Sequence, residues 1–150
     1  MIKIFKKQNG FSLVELLVVL GIITLISTIT VPLLRDYQKT VKLNNESRIL
    51  ATNIRLAQQL AISEQIIYNV LFLSDPDRYQ IINSDTLNTI KTVNFDKEIS
   101  INEISGFTTD TIQFNATGAA IETGYIVLVN TRNSTSTIEV KPSGYVQITN

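Results

Sequence analysis

Three textures of apolar and polar positions follow one another along the chain. From Phe11 to Val31 the only ionisable side chain is Glu15. A helix over these 21 residues spans roughly 31 Å, about the hydrocarbon thickness of a bilayer. Beyond Pro32 the apolar positions Leu43, Leu50, Ile54, Ala57 and Ala61 recur at helical spacings, with Arg48, Arg55, Gln59 and Glu64 off that stripe. No glycine or proline falls between Pro32 and Pro76, so one amphipathic helix is expected to run to about residue 64. Pro32 lacks a backbone N–H and crowds the carbonyl four residues earlier, which predicts a kink or local break near Thr28 to Pro32.

From Ile66 onward the residues are β-branched and aromatic, punctuated by turn formers. Strands are predicted at Ile66 to Leu73, Tyr79 to Asn83, Thr89 to Phe95, Ile99 to Ile101, Thr111 to Phe114, Gly124 to Asn130, Thr137 to Val140 and Tyr145 to Thr149. Turn chemistry separates them at Ser74-Asp75-Pro76-Asp77, Asn83-Ser84-Asp85, Thr117-Gly118, Asn130 to Ser136 and Pro142-Ser143-Gly144. The helical stripe then has a sheet to cover it, and the pattern predicts helix followed by antiparallel sheet.

Composition narrows the chemistry. The 150 residues contain neither histidine nor cysteine, which removes His-based and Cys-based nucleophile arrangements and ordinary zinc sites. No catalytic residue, cofactor or metal is implied. Asp75 and Asp77 flank Pro76 as ordinary turn residues rather than as calcium ligands. Asp96 and Glu98 read as an exposed, aggregation-blocking strand edge rather than as a catalytic pair. Thirteen basic residues balance thirteen acidic ones, but unevenly. Lys3, Lys6 and Lys7 precede the first acid, whereas acids outnumber bases past residue 64. The basic start predicts a cytoplasmic N-terminus and an extracytoplasmic remainder. A cleaved secretory signal is the rival, but it ends its short apolar stretch at an Ala-x-Ala-like site, and the first alanine is Ala51.

A plain anchor leaves Glu15 without a reason, because acids in spanning segments are rare and usually paired. A cut between Gly10 and Phe11 creates a new α-amino group four residues before Glu15, roughly one helical turn away. In a stack of staggered helices that amine meets either its own carboxylate or a neighbour's. Pairing in low dielectric favours one axial stagger.

Lys6-Lys7-Gln8-Asn9-Gly10 followed by Phe11-Ser12-Leu13-Val14-Glu15-Leu16 resembles the prepilin signature of type IV pilins and type II secretion pseudopilins. The resemblance implies that a prepilin peptidase cleaves after Gly10 and methylates the Phe11 amine, that Glu15 pairs with that amine during assembly, and that Pro32 kinks the helix. It also implies other pilin or pseudopilin subunits, an inner-membrane assembly platform and membrane lipid as partners. The fold it implies is α+β: a long N-terminal spine helix, transmembrane in its first half, packed on an antiparallel β-sheet head. Residues 1–10 would be the leader, 11–32 the transmembrane and assembly helix, 33–64 its amphipathic continuation and 65–150 the head.

The C-terminal stretch resembles the GspH/FimT branch of pseudopilins and minor pilins, with Phe114, Gly118, Gly124 and Gly144 at the matching positions. Some members of that branch are linked to DNA uptake through arginines after the last glycine. This chain reads Gly144-Tyr145-Val146-Gln147 there. With the acidic excess of the sheet region, that argues against binding nucleic acid. The expectation is a structural subunit of a pilus or pseudopilus, minor and tip-located. The alternative is a minor pilin whose head binds DNA or a secreted substrate.

Overall fold

The computed structural model describes residues 11–149. A single helix, α1 (Leu13–Glu64), precedes eight strands: β1 (Tyr68–Ser74), β2 (Asp77–Asn83), β3 (Thr89–Asn94), β4 (Ile99–Ser105), β5 (Thr111–Phe114), β6 (Gly124–Asn130), β7 (Thr135–Val140) and β8 (Val146–Thr149). The chain forms two compact units, one ending at Tyr37 and the other covering Gln38–Asn150.

In the first unit the helix continues through Pro32, so of the kink or break expected near it the break does not occur, and the helix tolerates the loss of the one backbone hydrogen bond that Pro32 cannot make.

In the second unit two four-stranded antiparallel sheets form, ordered β3-β2-β1-β5 and β4-β6-β7-β8. Alternation explains both. Tyr68, Val70 and Phe72 of β1, Tyr79 and Ile81 of β2, Ile126 and Leu128 of β6, and Ile138 and Val140 of β7 all point inward. Leu43, Leu50, Ile54, Ala57 and Ala61 of α1 join them in one buried cluster, so the predicted stripe is core. That cluster lies wholly within residues 38–150, so this portion of the chain carries its own core.

Helix α1 ends at Glu64, as the sequence predicts, and the next residue, Gln65, adopts a left-handed backbone (φ 59°) without being glycine. Its side-chain amide offsets that by donating to the Ile62 carbonyl at 2.7 Å, satisfying an otherwise orphaned acceptor of the last turn. β4 continues to Ser105 rather than stopping at Ile101, because a bulge between Ile101 and Glu103 re-aims the polar stretch. The hairpin tip after β6 is organised by Asn130, whose side-chain oxygen accepts from the Arg132 and Ser134 N–H groups.

One buried polar link ties α1 to the first sheet. Lys91 Nζ donates to Asn53 Oδ1 at 2.8 Å, which leaves Asn53 Nδ2 to donate to the Tyr79 hydroxyl at 2.6 Å. Tyr79 also packs against Phe72 and Phe95, with ring centroids 6.0 and 5.4 Å away. Burial pushes the Tyr79 hydroxyl up to about 12. Asn53→Ala strips this hydroxyl of its partner and is expected to lower the unfolding free energy of residues 38–150 by about 1–3 kcal/mol. Urea denaturation checks it, and an unchanged midpoint would show that the link does not stabilise.

Candidate functional site

Phe11 and Ser12 lead into α1, and helical bonding begins where the Leu16 N–H meets the Ser12 carbonyl at 3.1 Å. Glu15 therefore sits in the first turn, where the helix dipole favours an acid. Among the described residues nothing pairs with its side chain. Phe11 is 78 % exposed, and every residue from Phe11 to Val31 is exposed. The most apolar window of α1 has mean hydropathy 2.5 with none of it buried, so it is long and apolar enough to cross a membrane and is not the core helix of a globular domain.

The polar residues in this segment are disarmed locally. Thr24, Ser27 and Thr30 donate their hydroxyls to the carbonyls four residues earlier, and Thr28 to the one three residues earlier, all at 2.8–2.9 Å. Each hydroxyl is satisfied inside the helix, which is the condition for placing it in lipid. Glu15, the one ionisable side chain of the segment, has no such partner among the described residues.

Gly10 and the leader lysines Lys3, Lys6 and Lys7 lie outside the described residues. Of the residues singled out in the chain's second half, Phe114 is fully buried in β5, and Gly118 and Gly144 are brought together. Gln58 of α1 reaches between their turns, its Nε2 donating to the Gly118 carbonyl at 2.8 Å and the Ser143 carbonyl at 3.3 Å. Nothing in the sequence marked Gln58, since it sits beside Gln59 and reads as surface.

Asp96 and Glu98 do not form a strand edge. They occupy the turn between β3 and β4, where Lys42 of α1 lies 3.3 Å from Asp96 and 2.7 Å from Glu98. The Glu98 N–H and then Lys42 hold the Asp96 carboxyl below its usual range, while Glu98 and Asp96 raise Lys42. Asp96's share of stability is thus present above the ordinary carboxylate range and lost as pH falls through its lowered folded value. Lys42's share is present below the ordinary lysine range and lost as pH rises through its raised one. Half-buried Glu46 works in the opposite direction, its carboxyl raised by burial and by Asp96, so it destabilises the fold once ionised. Lys42→Met should therefore cost a small amount of stability at neutral pH, with the difference from wild type vanishing in strong acid. Unfolding curves at several pH values check this.

Residues 5–31 match the prokaryotic N-terminal methylation motif. The type IV minor pilin FimU of Pseudomonas aeruginosa superposes with a TM-score of 0.62 at 13 % identity, covering 76 % of this chain and 92 % of that one. The minor pseudopilin EpsH from the Type 2 Secretion System of Vibrio cholerae gives 0.59 at 8 % identity, covering 72 % and 96 %. The fold is type IV pilin-like. No curated protein sequence matches the chain. A pilin-like fold accounts for a long apolar helix followed by a helix-backed antiparallel head, and the methylation motif coincides with the segment in which Glu15 stands alone.

Proposed function

We propose that this chain is a structural subunit of a type IV pilus or type II secretion pseudopilus, minor and near the tip. It is held in the inner membrane by the segment Phe11 to Val31, with the leader lysines in the cytoplasm, Arg35 and Tyr37 at the far interface and the head outside. Prepilin peptidase cleaves after Gly10 and methylates the Phe11 amine. That amine pairs with Glu15 of an adjoining subunit as an inner-membrane assembly platform draws the helix into the filament. Pro32 provides the point at which the helix bends, and no enzymatic step is assigned to the chain.

The observation that carries this reading is the isolation of Glu15 in a wholly exposed apolar segment matching the methylation motif. Among the described residues it has no partner, and an acid in hydrocarbon requires one. Mass spectrometry of the membrane-extracted protein tests it. The expected mass is that of a chain beginning at Phe11 with an N-methyl group, and an intact Met1 terminus would overturn it.

A further inference from the structure

The two sheets have four edge strands, and three of them are covered, bulged or short. β5 is covered by the segment after it, through the Phe114 to Ala120 bridge and the Ile121 N–H bonded to the Gln113 carbonyl at 2.9 Å. β4 carries a bulge, and its Ile101 N–H points to the Asp77 carboxylate. β8 is only four residues long. β3 is six residues long, almost wholly exposed, and free of proline. The Phe95 N–H bonds the Asp77 carbonyl at 3.1 Å, and the register pairs Val93 with Tyr79. Hydrogen-bonded pairs therefore fall at Val93 and Phe95, and Thr92 and Asn94 turn their N–H and C=O groups away from β2. Among the described residues nothing meets them. An edge lysine ordinarily guards such a strand. Here Lys91 is drawn toward α1 by Asn53 and leaves the edge open.

Beside this edge lies a cleft of about 260 Å³, lined by Arg48, Ile49, Thr52 and Asn53 of α1 and by Lys91 of β3. Its two cations have no carboxylate partner among the described residues, and Lys91 has only the neutral Asn53. Ile49 is 38 % exposed and provides an apolar wall. A strand added to β3 would lie about 4.8 Å beyond it, with every second side chain on the side of the sheet that Lys91 faces. That is the side of the cleft.

We infer that β3 is a docking edge for an extended segment of a partner protein whose acidic side chain enters the cleft between Arg48 and Lys91. Backbone hydrogen bonds from Thr92 and Asn94 would supply register, and the two unpaired cations would select the acid. The inference is independent of how the N-terminal helix assembles.

The test uses 15N-labelled residues 38–150, which contain the whole core, and a blocked heptapeptide Thr-Val-Thr-Glu-Thr-Val-Thr with glutamine and lysine counterparts at its centre. The glutamate peptide should shift the amides of Thr89 to Asn94, foremost Thr92 and Asn94, and bind about tenfold more tightly than the lysine peptide. Arg48→Gln should remove most of that preference and Arg48→Lys restore part of it. Thr92→Pro deletes an outward N–H together with the exposed bond that the Thr92 hydroxyl accepts from Gln80 Nε2 at 3.3 Å, so it should abolish binding while lowering the melting temperature only slightly. Equal affinity for the three peptides, or binding that survives Thr92→Pro, would overturn the proposal. So would β3 shifts that depend on protein concentration alone, since the edge would then pair with a second copy.

Discussion

Glu15→Gln and Glu15→Leu are each expected to abolish incorporation of the subunit into filaments while leaving the chain anchored and its head folded. Removing one member of an ion pair buried in a low-dielectric setting costs about 3–5 kcal/mol, because the remaining charge is left without compensation. At the subunit contact this amounts to a loss of roughly 10²–10⁴-fold in association. The two substitutions separate explanations. Leucine suits lipid better than glutamate does, so a segment that merely anchors would tolerate it or improve. Under the pairing account both variants leave the Phe11 amine unpaired and both fail. Glu15 lies outside the compact unit Gln38–Asn150, so thermal unfolding of that unit should be unchanged. Counting the variant subunit in sheared filaments against its membrane pool measures the effect. Normal incorporation of either variant would remove the assigned role of Glu15.

Gly144→Val should unfold the head at growth temperature or come close to it. Gly144 has φ +77°, a region that a β-branched residue enters only with strain. A Cβ there would lie 2.2 Å from Gln58 Nε2 and 2.3 Å from the Gly118 carbonyl oxygen. The amide could swing aside, but the carbonyl belongs to a turn that Gln58 itself fixes to α1, so relief at one contact costs the other. Backbone strain of about 1–3 kcal/mol and overpacking of a similar size add to about 2–6 kcal/mol, a large part of a small domain's stability. Gly21→Ala is the contrasting case. A Cβ at Gly21 meets nothing within 4 Å, and the change should raise helix stability by up to about 1 kcal/mol. Denaturant unfolding checks the first, and the helical content of residues 11–37 by circular dichroism in detergent micelles checks the second.

These two regions were unequally legible in the sequence. The segment from Phe11 to Val31 is exposed throughout, so composition determines its character, and Glu15 stands out against it. In the head, β5 and β6 were legible to the residue, because burial on one face writes a period of two into the chain and glycine or asparagine marks the ends. What the sequence concealed depends on distant partners. Lys42 and Glu98 lie 56 positions apart, so the Asp96 and Glu98 pair read as an edge guard instead of a clamp on α1. Gln58 looked like surface because its partners are carbonyls 60 and 85 positions away. The end of α1 was placed close to its true position, yet the device that ends it, Gln65 in a left-handed conformation, has no glycine to announce it. Gly118 and Gly144 stand out through a resemblance, and their geometry supplies the reason: both have positive φ, a side chain at Gly118 would strike Ile62 of α1, and one at Gly144 would strike the Gln58 amide and the Gly118 carbonyl.

The reading rests on a positive charge reaching Glu15 from a neighbouring helix. A density map of the assembled filament, at a resolution that shows side chains, measures this directly. The expected result is a chain beginning at Phe11 whose terminal nitrogen lies within about 4–6 Å of the Glu15 carboxylate of an adjacent subunit. A Glu15 carboxylate that faces lipid or solvent with no amine at that distance would contradict it.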